Sequence, residues 1–210
     1  MHLFLQQYSS LLLFFLGLVY AIITCIGLLS LKNHNEPISD PWFTSMELLI
    51  IIMSPLMVVF VIQIYEISSK NSKIYSISAI CFMCITVCIT SCLHFIILSF
   101  PLQERNNHDW FFAFKWPSVI YALDILAWDL FFGLSMIFGS LSLIGNPKFN
   151  HIRYLMLISG VLSLFGLLGP VFHNMMIRNI GIIGYGIVFP IVSLALSGSI
   201  HSALAESKAE

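Results

Sequence analysis

Charged side chains are scarce in this sequence. They make up 9% of its 210 residues, against roughly 25% in ordinary soluble domains. A folded chain of this size cannot cover a water-facing surface with so few charges, so water is not its main solvent. Basic clusters are missing as well. The nine Lys and Arg stand singly between apolar runs and the formal net charge is −1. That gives no footing for neutralising phosphates, and no nucleic-acid partner is expected. No cysteine sits in a loop: Cys25, Cys81, Cys84, Cys88 and Cys92 all lie inside apolar segments, which argues against a disulfide framework. No Gly-rich phosphate loop, dinucleotide fingerprint, nucleophile-elbow serine or DDxxD pattern occurs. ATP-driven work and soluble-type hydrolysis within this chain are therefore not expected. The first segment lacks a positive leader and a small-x-small cleavage site, so it reads as a retained helix, not a signal peptide.

What the sequence does have is long apolar runs. No Asp, Glu, Lys or Arg occurs in 1–31, 48–65, 74–103, 154–177 or 179–205, and 116–147 holds only Asp124 and Asp129. A spanning helix needs about 20 mostly apolar residues, and each run supplies one. The runs are continuous and not alternating, which selects helices over a barrel. The expectation is an all-α polytopic membrane protein, one domain over 1–210, with six transmembrane helices near 9–31, 45–66, 74–100, 117–144, 153–174 and 180–200. Short loops make sequential helices antiparallel neighbours. Pro55, Pro170 and Pro190 fall in helices two, five and six and predict kinks.

Loops two and four and the C-terminus carry Lys70, Lys73, Lys148, Arg153 and Lys208; the opposite side carries Lys32, Arg105, Lys115 and Arg178. Five against four favours a cell-membrane protein with both termini in the cytoplasm. Loops one, three and five share the other side and hold Trp42, Phe43, Trp110, Phe111, Phe112, Phe114 and Trp116. Such rings form an interfacial belt, or the stretch 109–116 forms a lid over a cavity.

Asp124 and Asp129 are the most informative pair. An ionisable group inside a span costs at least ~2.5–3.5 kcal/mol and usually faces the bundle interior. In a regular α-helix five residues separate two side chains by about 140° and ~7.5 Å, so the two acids are not expected to face one another. Tyr121 and Trp128 share the Asp124 stripe and would wall a pocket. By depth, His94, His173, Tyr185 and Glu47 fall in the same half of the bilayer as Asp124, with Glu104 and His108 in the loop above. The candidate ligand-binding or proton-relay set is thus Asp124, Asp129, His94, His173, Tyr185, Trp128, Tyr121 and Glu47, around a vestibule on the loop-one, -three and -five side. The competing view is that these groups only fix packing, Glu47 being a carboxylate at a helix N-terminus. If His94, Asp124 and His173 converge, proton relay or a divalent metal follows chemically, yet no fixed-spacing metal motif is present and no metal site is assigned. The cofactor is unknown. The cysteines from Cys81 to Cys92 recur at i, i+3, i+7 and i+11 and read as a small-residue packing seam. The glycines and serines of helices five and six predict close helix approach, and the run 181–186 offers a locally unwound alternative.

The stretch 178–190, with 164–170 before it, resembles small polytopic bacterial membrane proteins of unassigned function. It covers about a quarter of the chain, and it implies no activity, cofactor or site. Three readings stay open. The first is a small transporter or ligand-binding membrane protein; as a transporter of only six helices it would be expected to work as a homodimer. The second is a membrane-embedded enzyme on a lipid-like substrate, and the third a non-catalytic subunit or assembly factor. The lipid bilayer is a partner in all three.

Overall fold

The computed structural model describes residues 2–31, 38–101, 105 and 107–209, with side chains described between 8 and 202. Lys32 and Glu104 lie outside the described residues, as does the side chain of Lys208. Among the described residues, six helices are long and apolar enough to cross a membrane: α1 (Tyr8–Leu29), α2 (Trp42–Ile67), α3 (Lys70–Ser99), α4 (Val119–Ser142), α5 (Pro147–Val171) and α6 (Met175–Ser202). No strand occurs among the described residues. The protein is an all-α bundle of six apolar helices, an integral membrane protein by length and composition.

Neighbours in sequence are neighbours in space. Each helix packs on the next, and α1 closes the ring against α2 and against the C-terminal stretch of α6 from Phe189. One half of the bundle is a continuous apolar core, with Leu13, Phe60, Met83, Phe132, Met156 and Phe189 almost fully enclosed. On that side α1 is also held by polar contacts to α2: Ser10 donates to Gln63 Oε1, and Gln63 Nε2 donates to Ser9 at 2.9 Å. Toward the other face α1 approaches Pro190 at Gly17 and packs on Ile38 and Trp42 at Gly27, and between these contacts Tyr20 and Thr24 border a cavity.

The helices deviate from regularity before Pro170 and Pro190, where the sequence removes a donor, and at one further place, whereas α2 runs as one helix through Pro55. Pro170 has no N–H for the carbonyl of Gly166, and the regular helix of α5 stops at Gly166 and resumes for the single stretch Leu168–Val171. Pro190 likewise cannot bond the carbonyl of Gly186, and the turn before it opens to π spacing over Gly184–Val188. The run 181–186 is thus widened but stays helical, which replaces the unwound alternative. A second π stretch, Leu126–Phe131, lies in the middle of α4; no Gly or Pro between Asp124 and Asp129 marks it.

Two boundaries differ in a way that matters. Helix five ends at Val171, not near 174, and helix six begins at Met175, not near 180. His173 takes a left-handed φ of 52° and turns the chain, and Asn174 caps the new helix by accepting the Met176 N–H at 3.1 Å. Arg178 therefore sits inside a span, where the sequence had suggested a loop.

Close approach of α5 to α4 and α6 follows the small residues. A Cβ on Gly160 would lie 2.6 Å from the Gly133 carbonyl oxygen, and one on Gly184 would lie 2.6 Å from that of Ser159. Ser159 also donates to the Gly184 carbonyl at 2.9 Å. The cysteine seam is a correction: Cys81, Cys84, Cys88 and Cys92 are exposed on the outer face of α3. The buried face of α3 is built instead from Ala79, Met83, Thr86, Thr90, Leu93, His94 and Ile97, in which Met83, Leu93, His94 and Ile97 supply the bulk that fills the volume between helices.

Candidate functional site

Five ionisable side chains on four helices meet inside the bundle. Glu47 of α2 is 3% exposed, His94 of α3 1%, Asp124 and Asp129 of α4 6% and 0%, and Arg178 of α6 6%. Groups this enclosed must be paired, since hydrocarbon gives them no solvation. They form a row. His94 donates its Nδ1–H to Glu47 Oε2 at 2.5 Å. Its Nε2 faces Asp124 Oδ1 at 4.0 Å. Asp124 Oδ2 accepts from Arg178 Nη2 at 2.9 Å, and Arg178 Nε lies 3.5 Å from Asp129 Oδ2. The guanidinium also donates Nη1–H to the Tyr121 hydroxyl at 3.3 Å and lies over the rings of Tyr121 and Tyr185, 4.9 and 5.9 Å from their centres. These are cation–π contacts of the desolvated kind.

Both acids of α4 thus share one partner, contrary to the α-helical expectation that they point apart. The π stretch between them is the reason. Its i→i+5 bonding widens the turn, so residue i+5 returns toward the face that residue i occupies. Asp129 fits there because glycine flanks it on two helices. A Cβ on Gly166 would stand 2.8 Å from the Asp129 carboxyl carbon, and one on Gly181 would press on Oδ1. Among the described residues, neither Asp129 oxygen, nor Arg178 Nε, nor His94 Nε2 has a hydrogen-bond partner.

The row borders a cavity of about 430 Å³. Its polar wall is Glu47, His94, Tyr121, Asp124, Arg178 and Tyr185; apolar side chains of α1, α2 and α6 make up most of the rest. Leu31 and Ile38 of loop one, Phe43 at the start of α2 and Phe114 after the short helix Asp109–Phe112 place it in the loop-one, -three and -five half. Phe114 stacks on the His94 ring, centres 5.9 Å apart, and meets Tyr121 edge-on. Trp110, 67% exposed, points away from the bundle while Phe111 and Phe112 pack on Leu93, Ile97 and Ile120. The aromatic stretch is therefore divided between outward anchor and cavity wall.

Of the sequence candidates, Glu47, His94, Tyr121, Asp124, Trp128 and Tyr185 line the cavity, and Trp128 and Tyr185 pack ring on ring with centres 5.1 Å apart. Asp129 sits behind Arg178, off the cavity wall. His173 is exposed at the tip of the α5–α6 turn and is not brought to the cavity. Among the described residues no group of three His, Cys, Asp or Glu side chains is arranged to hold a metal ion. The residue that sequence reasoning missed is Arg178. It looked like a loop cation at the end of an apolar run. The signal available was a mismatch of charge: two acids in α4 had no embedded cation to answer them, and Arg178, with Lys32 and Lys115, was one of three bases bordering a span on the same side.

No family model matches the sequence, and no curated protein or solved structure matches it either.

Proposed function

We propose that the protein is a ligand-binding membrane protein that receives a small amphipathic molecule in the vestibule between α1, α2, α4 and α6. One observation carries this reading: a row of buried ionisable groups borders a mainly apolar cavity of about 430 Å³, inside the range of roughly 300–1,000 Å³ typical of small-molecule sites. Groups that served packing alone would be expected to satisfy one another fully, yet His94 Nε2 has no hydrogen-bond partner on the wall of an open space. In a transporting form of this reading Asp129, behind Arg178, is the inner protonatable station, and a homodimer is the assembly expected. With Arg178 withdrawn into the bundle, the basic count becomes five (Lys70, Lys73, Lys148, Arg153, Lys208) against three (Lys32, Arg105, Lys115). This favours termini in the cytoplasm of a cell-membrane protein, and the vestibule then opens away from the cytoplasm.

A second reading, an enzyme acting on a lipid-like substrate, is favoured by the Glu47–His94 pair. A carboxylate that accepts Nδ1–H fixes the imidazole tautomer and leaves Nε2 available as an acid or base.

Ile50, one turn beyond Glu47, lines the cavity, and Ile50→Trp fills it. The protein is purified from its native membrane in a neutral maltoside detergent, extracted, and its co-purifying amphiphiles are measured by mass spectrometry. A molecule retained by the unaltered protein and lost from Ile50→Trp is the expected result. Recovery that is equal in both, or absent from both, refutes the reading.

A further inference from the structure

Resting on the vestibule reading, we propose that the polar end of the bound molecule is a protonated amine, held by His94 Nε2 and Asp124 with Glu47 behind the imidazole. Charge comes first. The row contains three carboxylates, Glu47, Asp124 and Asp129, and one guanidinium, Arg178. With all three carboxylates ionised, the sum is negative whichever state His94 takes. A negative excess held out of water calls for a cation.

The donors and acceptors point the same way. Arg178 has little left for an anion: Nη2 is bonded to Asp124, Nη1 to Tyr121, and Nε lies against Asp129. Acceptors are what remain. With Nδ1–H given to Glu47, a neutral His94 presents a lone pair at Nε2. That nitrogen is enclosed, unpartnered and on the cavity wall, with Asp124 Oδ1 4.0 Å away. An ammonium group has two or more N–H donors to span such a pair, and a quaternary nitrogen has none. The rings of Tyr20, Phe43, Phe114, Tyr121, Trp128 and Tyr185 line the same space. Their faces attract a cation and repel an anion. The apolar remainder of the cavity suits a hydrocarbon body attached to the amine.

Three probes with one tail separate the possibilities: octylammonium, octan-1-ol and octyl sulfate. Binding is measured by calorimetry to the full chain in phosphatidylcholine nanodiscs, with protein-free nanodiscs subtracted. Octylammonium is expected to bind at least tenfold tighter than octanol, octyl sulfate weaker than either, and Ile50→Trp to abolish the protein-dependent signal. Glu47→Gln, which keeps the hydrogen bond to His94 but removes the charge, is expected to weaken octylammonium tenfold or more and to leave octanol within twofold. If octanol or octyl sulfate matches octylammonium, the amine assignment is overturned while the vestibule stands. If no probe gives a signal sensitive to Ile50→Trp, the vestibule reading falls. Should Glu47→Gln fail to fold, the comparison of the three probes on the unaltered protein decides by itself.

Discussion

Arg178→Met tests the physical core of this structure. The substitution keeps an unbranched side chain of helical preference and deletes the one cation that answers both acids of α4. At the observed 2.9 and 3.5 Å, an effective dielectric of ~20 gives about 5 kcal/mol of attraction per pair. Desolvation of three ions offsets most of that. Removing one partner alone is different, because it strands the others, and for buried pairs this costs about 3–5 kcal/mol. The loss is therefore assigned to Asp124 and Asp129 left unanswered, and it should vanish when they are neutralised. We expect Arg178→Met to lose about 3–5 kcal/mol, and the triple variant Arg178→Met with Asp124→Asn and Asp129→Asn to recover more than half of it. The assay is reversible unfolding in mixed micelles, titrated with a denaturing detergent and followed by tryptophan fluorescence. An Arg178→Met protein within about 0.5 kcal/mol of the parent, a value ordinary for surface changes, would refute the pairing. So would a triple variant no more stable than the single one.

Other outcomes follow from the same contacts. Asp129→Asn should cost less than Asp124→Asn in the same assay, because Asp124 accepts a 2.9 Å hydrogen bond from Arg178 whereas neither Asp129 oxygen has a hydrogen-bond partner. Gly181→Ala should lose about 1–3 kcal/mol through overpacking, its Cβ falling 3.2 Å from both the Asp129 carboxyl carbon and the Gly166 Cα. Gly198→Ala, which meets nothing within 4 Å, should be neutral or slightly stabilising by the same measurement. Asp40, outside the spans, holds the first turn of α2: its Oδ1 accepts from the Thr44 N–H at 3.0 Å and from the Thr44 hydroxyl. The hydroxyl bond chiefly, with the backbone bond, keeps its carboxyl below the usual Asp range. Since the folded form binds this proton less readily, the stabilisation is complete above the ordinary Asp value and is lost as pH falls through the lowered one. Carbon-detected NMR titration should find Asp40 titrating below an unstructured Asp, and Thr44→Val should bring it back toward that value.

The six spans were legible because hydrocarbon demands about 20 apolar residues whatever the tertiary structure, and the runs between charges supply them. That successive helices are antiparallel neighbours was legible from short loops. Glu47, His94, Asp124 and Tyr185 could be placed at one depth by counting residues, and they line one cavity. Their lateral convergence could not be read, since it depends on the lateral order of the helices and on how each rotates about its axis. Three features escaped for separate reasons. The π stretch in α4 has no Gly or Pro to announce it, so the angle between Asp124 and Asp129 came out wrong. Arg178 was misplaced because a helix start was drawn at the end of the charge-free run and not at the Asn174 cap. The cysteines of α3 were taken for a packing face because they are small and periodic, when the competing face carried the residues that fill the interior.

Chain order adds a consequence for biogenesis. The fourth span has the lowest mean hydropathy of the six, 1.6, and its Asp124 leaves the ribosome 54 residues before Arg178, the base that neutralises it. Until that base is made, this span is a poor guest for lipid and needs shelter, whether from the earlier helices or from the insertion machinery. A chain truncated before Met175 is expected to lose the fourth span from the bilayer in glycosylation-site mapping, and Asp124→Leu with Asp129→Leu to restore it. A helix synthesised later is in this sense what commits an earlier one to the membrane.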